Sequence, residues 1–211
     1  GHFTENIVTR SSLQETDVLP LAHMFRSYDQ MPTLEQRALN MARGTVLDIG
    51  CGAGNHALYL QKQGMTVTGI DRSKGAIKVC KERGLRYTHN TAVLDYGGKR
   101  FNTLLLLMNG IGIAGTLKNL PVYLNKFKTL LRPNGQVLLD SSDIIYMFDP
   151  PLPDRHIVTW PKGYYGEVRF QMEYNKLQSP VFEWLYIDYL TLQQYAEREG
   201  FQCNLIAKGV H

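Results

Sequence analysis

The chain is poor in cysteine, in long apolar runs and in charge of one sign, and each shortage excludes something. Cys51, Cys80 and Cys203, three in 211 residues, are too few and too scattered for a disulfide framework or for zinc-ligand spacing. A reducing cytoplasm is the expected compartment, and no metal site is expected. The most apolar run, Thr103 to Met108, is strand-length and far short of the ~18 residues of a membrane helix, so no membrane association is expected. The N-terminus lacks a basic segment followed by an apolar core, so no signal peptide is read, and Gly1 reads as an expression scar. Lys+Arg 23 against Asp+Glu 19 leaves a formal charge of +4, a weak footprint for nucleic acid. Lys74, Lys78, Lys81, Arg83 and Arg86 do cluster, yet Lys74, Lys78 and Lys81 recur at helical spacing beside Ile77 and Val79, which reads as a solvated helix face. No internal repeat of roughly 20–50 residues is present.

What is present is an ordinary globular composition, 44% hydrophobic and 20% charged. A chain of this length buries about 70% of its unfolded surface and needs no covalent staple, so one domain is expected. Element types alternate along it. Thr45 to Ile49, rich in β-branched residues and stopped by glycine, predicts a buried strand. Ala57 to Gln63, closed by Gly64, predicts a helix, followed by a strand over Thr66 to Ile70, a helix over Lys74 to Arg83 and a strand over Leu85 to Thr88. The alternation continues with a strand over Phe101 to Met108, a helix over Leu120 to Leu131, the turn Arg132-Pro-Asn-Gly135, and a strand over Gly135 to Asp140. The expected fold is α/β: a doubly wound, mostly parallel sheet with helices on both faces, whose ligands bind at the carboxyl ends of the strands.

Beyond Asp143 the pattern changes. Residues 144–189 hold 11 of the 22 aromatic residues and five of the nine prolines. Glu167 to Tyr174 alternates polar and apolar, and Phe182 to Tyr189 is its expected antiparallel partner. A last helix, Thr191 to Glu199, and a strand, Phe201 to Ala207, complete the reading.

The strongest chemical signal is Val46-Leu-Asp48-Ile-Gly50-Cys-Gly52-Ala-Gly54, a glycine loop between strand and helix, with Asp71 following 21 residues after Gly50. Glycines serve where the backbone turns sharply and a ligand approaches without meeting a Cβ. A dinucleotide site wants a third glycine where this chain has Asn55, so the loop suits a nucleoside cofactor without phosphates better than a nicotinamide dinucleotide.

The successive segments VLDIGCGAG, VTGIDRS and LLRPNGQVLLD resemble the signatures of class I S-adenosylmethionine-dependent methyltransferases, a Rossmann-like family. The resemblance covers about residues 44–143 and resumes over 191–207. It implies S-adenosyl-L-methionine as cofactor and places Asp48, Gly50, Gly52 and Gly54 against its methionine and ribose portions. Asp71, with Arg72 beside it, falls on the ribose hydroxyls, and Asn90, Thr91 and Ala92 on the adenine. Asp71 can also cap the following helix, a role compatible with binding the ribose. The chain departs from the family at Asn90 and Asn102, where aspartates are common. It also leaves no room for a final antiparallel strand, so either the chain is truncated or the insertion supplies that pairing.

Asn109, in Leu107-Met-Asn109-Gly110, lies where the resemblance puts the transferred methyl, and is a candidate for cofactor or substrate contact; its alternative is a turn residue. Asp140 and Asp143 close the fifth strand as candidates for polar substrate contact. His56 is a candidate general base, and Tyr28 and Arg26 are candidates for the cleft from an N-terminal lid. The expected layout is an N-terminal helical lid (residues 1–43), a cofactor-binding core (44–143), an aromatic-rich β insertion (144–189) and a final helix and strand (190–211). The expected function is methyl transfer to a small molecule. RNA or protein methylation, or a non-catalytic cofactor-binding partner subunit, are the alternatives, and a homodimer through the aromatic segment is compatible with the sequence.

Overall fold

The computed structural model describes residues 6–148 and 163–209. In chain order its strands and helices are β1 (Asn6–Ser11), β2 (Thr16–Pro20), α1 (Thr33–Met41), β3 (Thr45–Ile49), α2 (Asn55–Lys62), β4 (Thr66–Asp71) and α3 (Lys74–Glu82). There follow β5 (Tyr87–Asn90), β6 (Phe101–Leu106), α4 (Leu120–Leu130), β7 (Leu131–Leu139), β8 (Glu167–Tyr174), β9 (Leu177–Gln178), β10 (Phe182–Leu185) and α5 (Tyr189–Arg198). Contacts group the chain into two compact units, one mainly residues 22–110 and 125–140, the other mainly 1–21, 111–124 and 141–205.

In the first unit, β5-β4-β3-β6-β7 form an all-parallel sheet. β3 and β6 are buried almost along their whole length, as strands covered on both faces must be. Val46, Leu105 and Leu138 from the sheet pack with Leu39, Leu60, Ile77 and Cys80 from the helices into one core. The order reverses between β3 and β6, and such a switch point opens a crevice at the strands' carboxyl ends. The helices end at the expected glycines, whereas α2 begins at Asn55, two residues before the expected Ala57: Ser73 accepts the Ala76 N–H at 3.2 Å to cap α3, and Gly64 and Gly84 stop α2 and α3 with φ of 87° and 89°. Asn102 ties the start of β6 to β3 by accepting from the Thr45 N–H at 3.0 Å and the Thr45 hydroxyl at 3.1 Å. The turn expected at Arg132–Gly135 is instead absorbed into β7, as a register shift between Phe101 and Thr103 on the facing strand.

The second unit is an antiparallel sheet, ordered β10-β8-β1-β2 with β9 also on β8. It corrects the expected helical lid: residues 6–20 are a hairpin, turned at Gln14 (φ 64°), and β1 pairs with β8 (Val8 opposite Glu173). The sequence pattern misses this because the pairing partner lies some 160 residues away. β8 has the bounds expected of it, whereas β10 ends at Leu185, because Asp188 accepts the Thr191 N–H at 3.0 Å and starts α5 early. No strand forms over 201–207, and among the described residues nothing pairs antiparallel with β7. The insertion pairs with the N-terminal hairpin, not with the parallel sheet. Its stretch 149–162 lies outside the described residues.

Candidate functional site

The crevice floor is the loop from Gly50 to Gly54. The Gly50 and Cys51 N–H groups both donate to the Ile70 carbonyl, at 2.9 and 3.0 Å, which folds the loop back over the end of β4. Gly50 (φ 72°) faces open space where a side chain would stand, and beside Gly52 (φ 51°) only the Met24 methyl is near. Both positions leave bare backbone to be approached from the crevice. Gly54 (φ 83°) starts α2, and a Cβ there would meet Cys80 Sγ at 2.9 Å.

Asp71 is bound into this floor. One carboxylate oxygen accepts the Gly52 N–H at 2.9 Å and the other the Ser73 N–H at 2.8 Å. The helix cap expected of Asp71 is made by Ser73 instead. Each Asp71 oxygen keeps a further lone pair for a ligand hydroxyl. Asn90 donates through its side-chain nitrogen to the carbonyls of Asp71 and Arg72, both at 2.9 Å, and the Thr91 N–H donates to the Asp71 carbonyl at 3.0 Å. The stretch Asn90–Ala92 is thereby stapled to the end of β4.

Asp48 lies one residue before the end of β3, 2% exposed. Its Oδ2 is buried without a hydrogen-bond partner. Burial drives its pKa up to about 6, against the opposing influence of His56. Asp140 is likewise pushed up to about 6 by burial while accepting the Asn109 N–H at 2.9 Å. Met108 and Asn109 are both left-handed (φ 61° and 54°), a strained pair directly after β6 that no glycine relieves.

His56, in the first turn of α2, meets Glu35 with Nε2 to Oε2 at 2.7 Å. Glu35 is 5% exposed and also takes both of its oxygens to Arg26 Nη2, at 2.5 and 2.6 Å, while Arg26 Nη1 donates to the His23 carbonyl at 2.9 Å. Hydrogen bonds from His56 and Arg26 overcome burial and hold the Glu35 carboxyl below its ordinary range. Glu35, the link between Arg26 and His56, is the part of the site that sequence reasoning missed, because a glutamate in the first turn of a short helix looks like any solvated first-turn acid. Tyr28 is not brought to it: its ring stacks on Tyr59, centroids 4.2 Å apart, and its hydroxyl exchanges hydrogen bonds with Asn40.

In the other unit, Asp143 accepts the Tyr165 hydroxyl at 2.8 Å and the Ile145 N–H at 3.0 Å. Asp188 accepts the Tyr164 hydroxyl at 2.7 Å. Ile144, Tyr165 and Val168 form a small buried cluster with Phe148, Phe170 and Tyr186 against it. Trp184 lies so close over Gly112 that a Cβ there would enter the indole ring. The lysines of α3 are exposed, Lys78 with Glu82 at 3.9 Å, as a solvated face should be. No described helix is long and apolar enough to cross a membrane.

A family described as a methyltransferase domain matches residues 21–204. Over 98% of its length, the chain is similar to a solved S-adenosylmethionine-dependent methyltransferase from Bacteroides fragilis in complex with S-adenosyl-L-homocysteine, 42% identical with a TM-score of 0.87 over 84% of that chain. It is 35% identical over 100 residues to a ubiquinone biosynthesis O-methyltransferase from Dinoroseobacter shibae, spanning 44% of this chain and 39% of that protein. A dTDP-3-amino-3,6-dideoxy-alpha-D-glucopyranose N,N-dimethyltransferase from Streptomyces fradiae is 26% identical over 98 residues, 46% of this chain and 38% of its own. The matched region is thus about two fifths of the length of either curated relative.

Proposed function

This chain belongs to the methyltransferase-domain family, and on that premise we propose that it transfers a methyl group from S-adenosylmethionine to a small-molecule acceptor. The observation that carries the reading is the crevice floor itself: two open glycines, Gly50 and Gly52, between a doubly anchored Asp71 and the unpartnered oxygen of Asp48. The residues fit the cofactor's chemistry. A buried carboxylate whose oxygen lacks a partner is costly unless a cation or a donor reaches it, and the cofactor has an ammonium and a sulfonium. Asp71 has lone pairs for two neighbouring ribose hydroxyls, and Asn90–Ala92 fall at the adenine end.

Bound, the cofactor supplies a methyl group that is already electrophilic, so the protein's task is alignment and exclusion of water. Asn109 is held by Asp140 at the end of β6, next to β3, where an acceptor is best placed to meet that methyl. His56 takes its orientation from Glu35 and serves as the base where the acceptor must lose a proton. The small-molecule class rests on the names of the relatives, and a cytoplasmic setting on three free thiols.

The test is calorimetric titration with S-adenosylhomocysteine, followed by S-adenosylmethionine turnover on fractionated metabolite pools. Micromolar or tighter binding with methylated product in a low-mass fraction is expected. NADH binding more tightly than S-adenosylmethionine refutes the assignment.

A further inference from the structure

Two of the three cysteines meet beneath the crevice floor. Cys51 lies inside the glycine loop and Cys80 in the last part of α3, 29 residues apart in sequence, with their sulfurs 3.8 Å apart. Cys80 Sγ also lies 3.2 Å from the Gly52 carbonyl. The chain makes room for both sulfurs by omitting side chains. A Cβ on Gly54 would stand 2.9 Å from Cys80 Sγ, and one on Gly69 would stand 3.0 Å from Cys51 Sγ. The third cysteine, Cys203, is half-buried.

We propose that Cys51 and Cys80 are a thiol–disulfide modification site, oxidised by hydrogen peroxide or a comparable two-electron oxidant, and that the bond lowers affinity for the cofactor. The affinity limb rests on the functional reading above. A disulfide needs its sulfurs at ~2.05 Å, so closure draws Cys51 and Cys80 together by roughly 1.8 Å. Cys51 is flanked by Gly50 and Gly52, whose positive φ values leave the loop free to follow. The movement displaces the Gly52 N–H from Asp71 and distorts the surface the cofactor lies on.

The chemistry balances with the oxidant named. The S–H of Cys51 and the nearby Arg83 hold the Cys80 thiol below the ordinary range, while the same pairing and burial push Cys51 up. Cys51, in the crevice loop, is the more exposed of the two. One thiolate attacks one peroxide oxygen, the O–O bond breaks, and a sulfenic acid and one water form. The other attacks that sulfur, the S–O bond breaks, and a second water leaves with the remaining thiol proton. Two thiols and one peroxide give one disulfide and two waters.

The experiment uses the full chain carrying Cys203→Ser, so that these two thiols are alone. A small molar excess of hydrogen peroxide is expected to cause a loss of ~2 Da, a Cys51–Cys80 cross-linked peptide and at least a tenfold weakening of S-adenosylhomocysteine binding, all reversed by dithiothreitol. By reciprocity of linked equilibria, saturating S-adenosylhomocysteine should shift the thiol–disulfide equilibrium in a glutathione redox buffer toward the dithiol by the same factor. Cys80→Ser and Cys51→Ser, made separately in case one fails to fold, should keep their affinity after peroxide. Oxidation to sulfinic acid without a cross-link, or a cross-link with unchanged affinity, overturns the proposal. Reduced protein that binds no S-adenosylhomocysteine refutes the functional reading alone; the mass and the mapped peptide still decide the disulfide.

Discussion

Replacing Asp48 by asparagine should move stability and affinity in opposite directions. The folded carboxyl keeps its proton up to about pH 6, against an ordinary value of 3.8. The folded state therefore binds more protons than the unfolded one between those values, so stability falls as pH rises through that window. At ~1.4 kcal/mol for each tenfold change in proton affinity, the cost above the window is about 3 kcal/mol. Asparagine removes the charge but leaves a buried amide donor unpaired, at about 1–3 kcal/mol. The net expectation at pH 7.5 is a gain of about 1 kcal/mol, or roughly 2–4 °C in Tm for a chain of this size. At pH 4, where the native aspartic acid is already neutral, the gain should vanish or reverse. S-adenosylhomocysteine affinity at pH 7.5 should fall at least tenfold, or ~1.4 kcal/mol. Thermal scans of the cofactor-free protein at the two pH values, paired with calorimetry, check both limbs. A variant destabilised equally at pH 4 and pH 7.5 would show that burial of the charge is not what strains Asp48, and unchanged affinity would remove Asp48 from the cofactor site.

Asp71→Ala should weaken S-adenosylhomocysteine binding by about 1–3 kcal/mol, since it removes the ribose acceptor and frees the Gly52 N–H; an unaltered calorimetric Kd refutes the ribose role. Glu35→Ala leaves Arg26 buried without its partner and should cost about 3–5 kcal/mol in urea unfolding, with Glu35→Gln losing less. Gly112→Ala drives a methyl group into Trp184 and should destabilise the chain by about 1–3 kcal/mol, with a changed tryptophan emission; a native-like emission and Tm would mean that the indole moves aside freely. Exchanging residues 150–180 for a short linker should unfold the antiparallel unit, because that stretch includes β8, on which β1, β9 and β10 all pair. Circular dichroism and hydrogen exchange read that outcome, and a deletion that stays folded contradicts it.

The parallel sheet was legible in the sequence because each of its signals is local: a β-branched run, a glycine stop, a helix of 3.6 periodicity, repeated. The glycine loop and Asp71 were legible for the same reason. What escaped depends on distant partners. The strand Asn6–Ser11 alternates weakly and gains its identity only against β8. Glu35 becomes a site residue only when folding sets Arg26 and His56 around it. The stacking of Tyr28 on Tyr59 is likewise a contact that no local pattern announces.

The pairing of β1 with β8 also dictates an order of events during synthesis. The residues of the parallel sheet end at Leu139, so that sheet can form while the later chain is still being made. The hairpin of β1 and β2 emerges ahead of that sheet but has no third strand until residue 174 is made, roughly 150 residues later. At about 5–20 residues per second, that is a wait of about 8–30 s with an unpaired edge. Charge stands on both faces of this hairpin, Arg10 on one and Asp17 on the other, but Val18, on the face of Arg10, is 55% exposed even in the finished fold. A hairpin made ahead of the parallel sheet is therefore secured only after it, and translation speed between residues 20 and 174 becomes a determinant of how much chain reaches the native state.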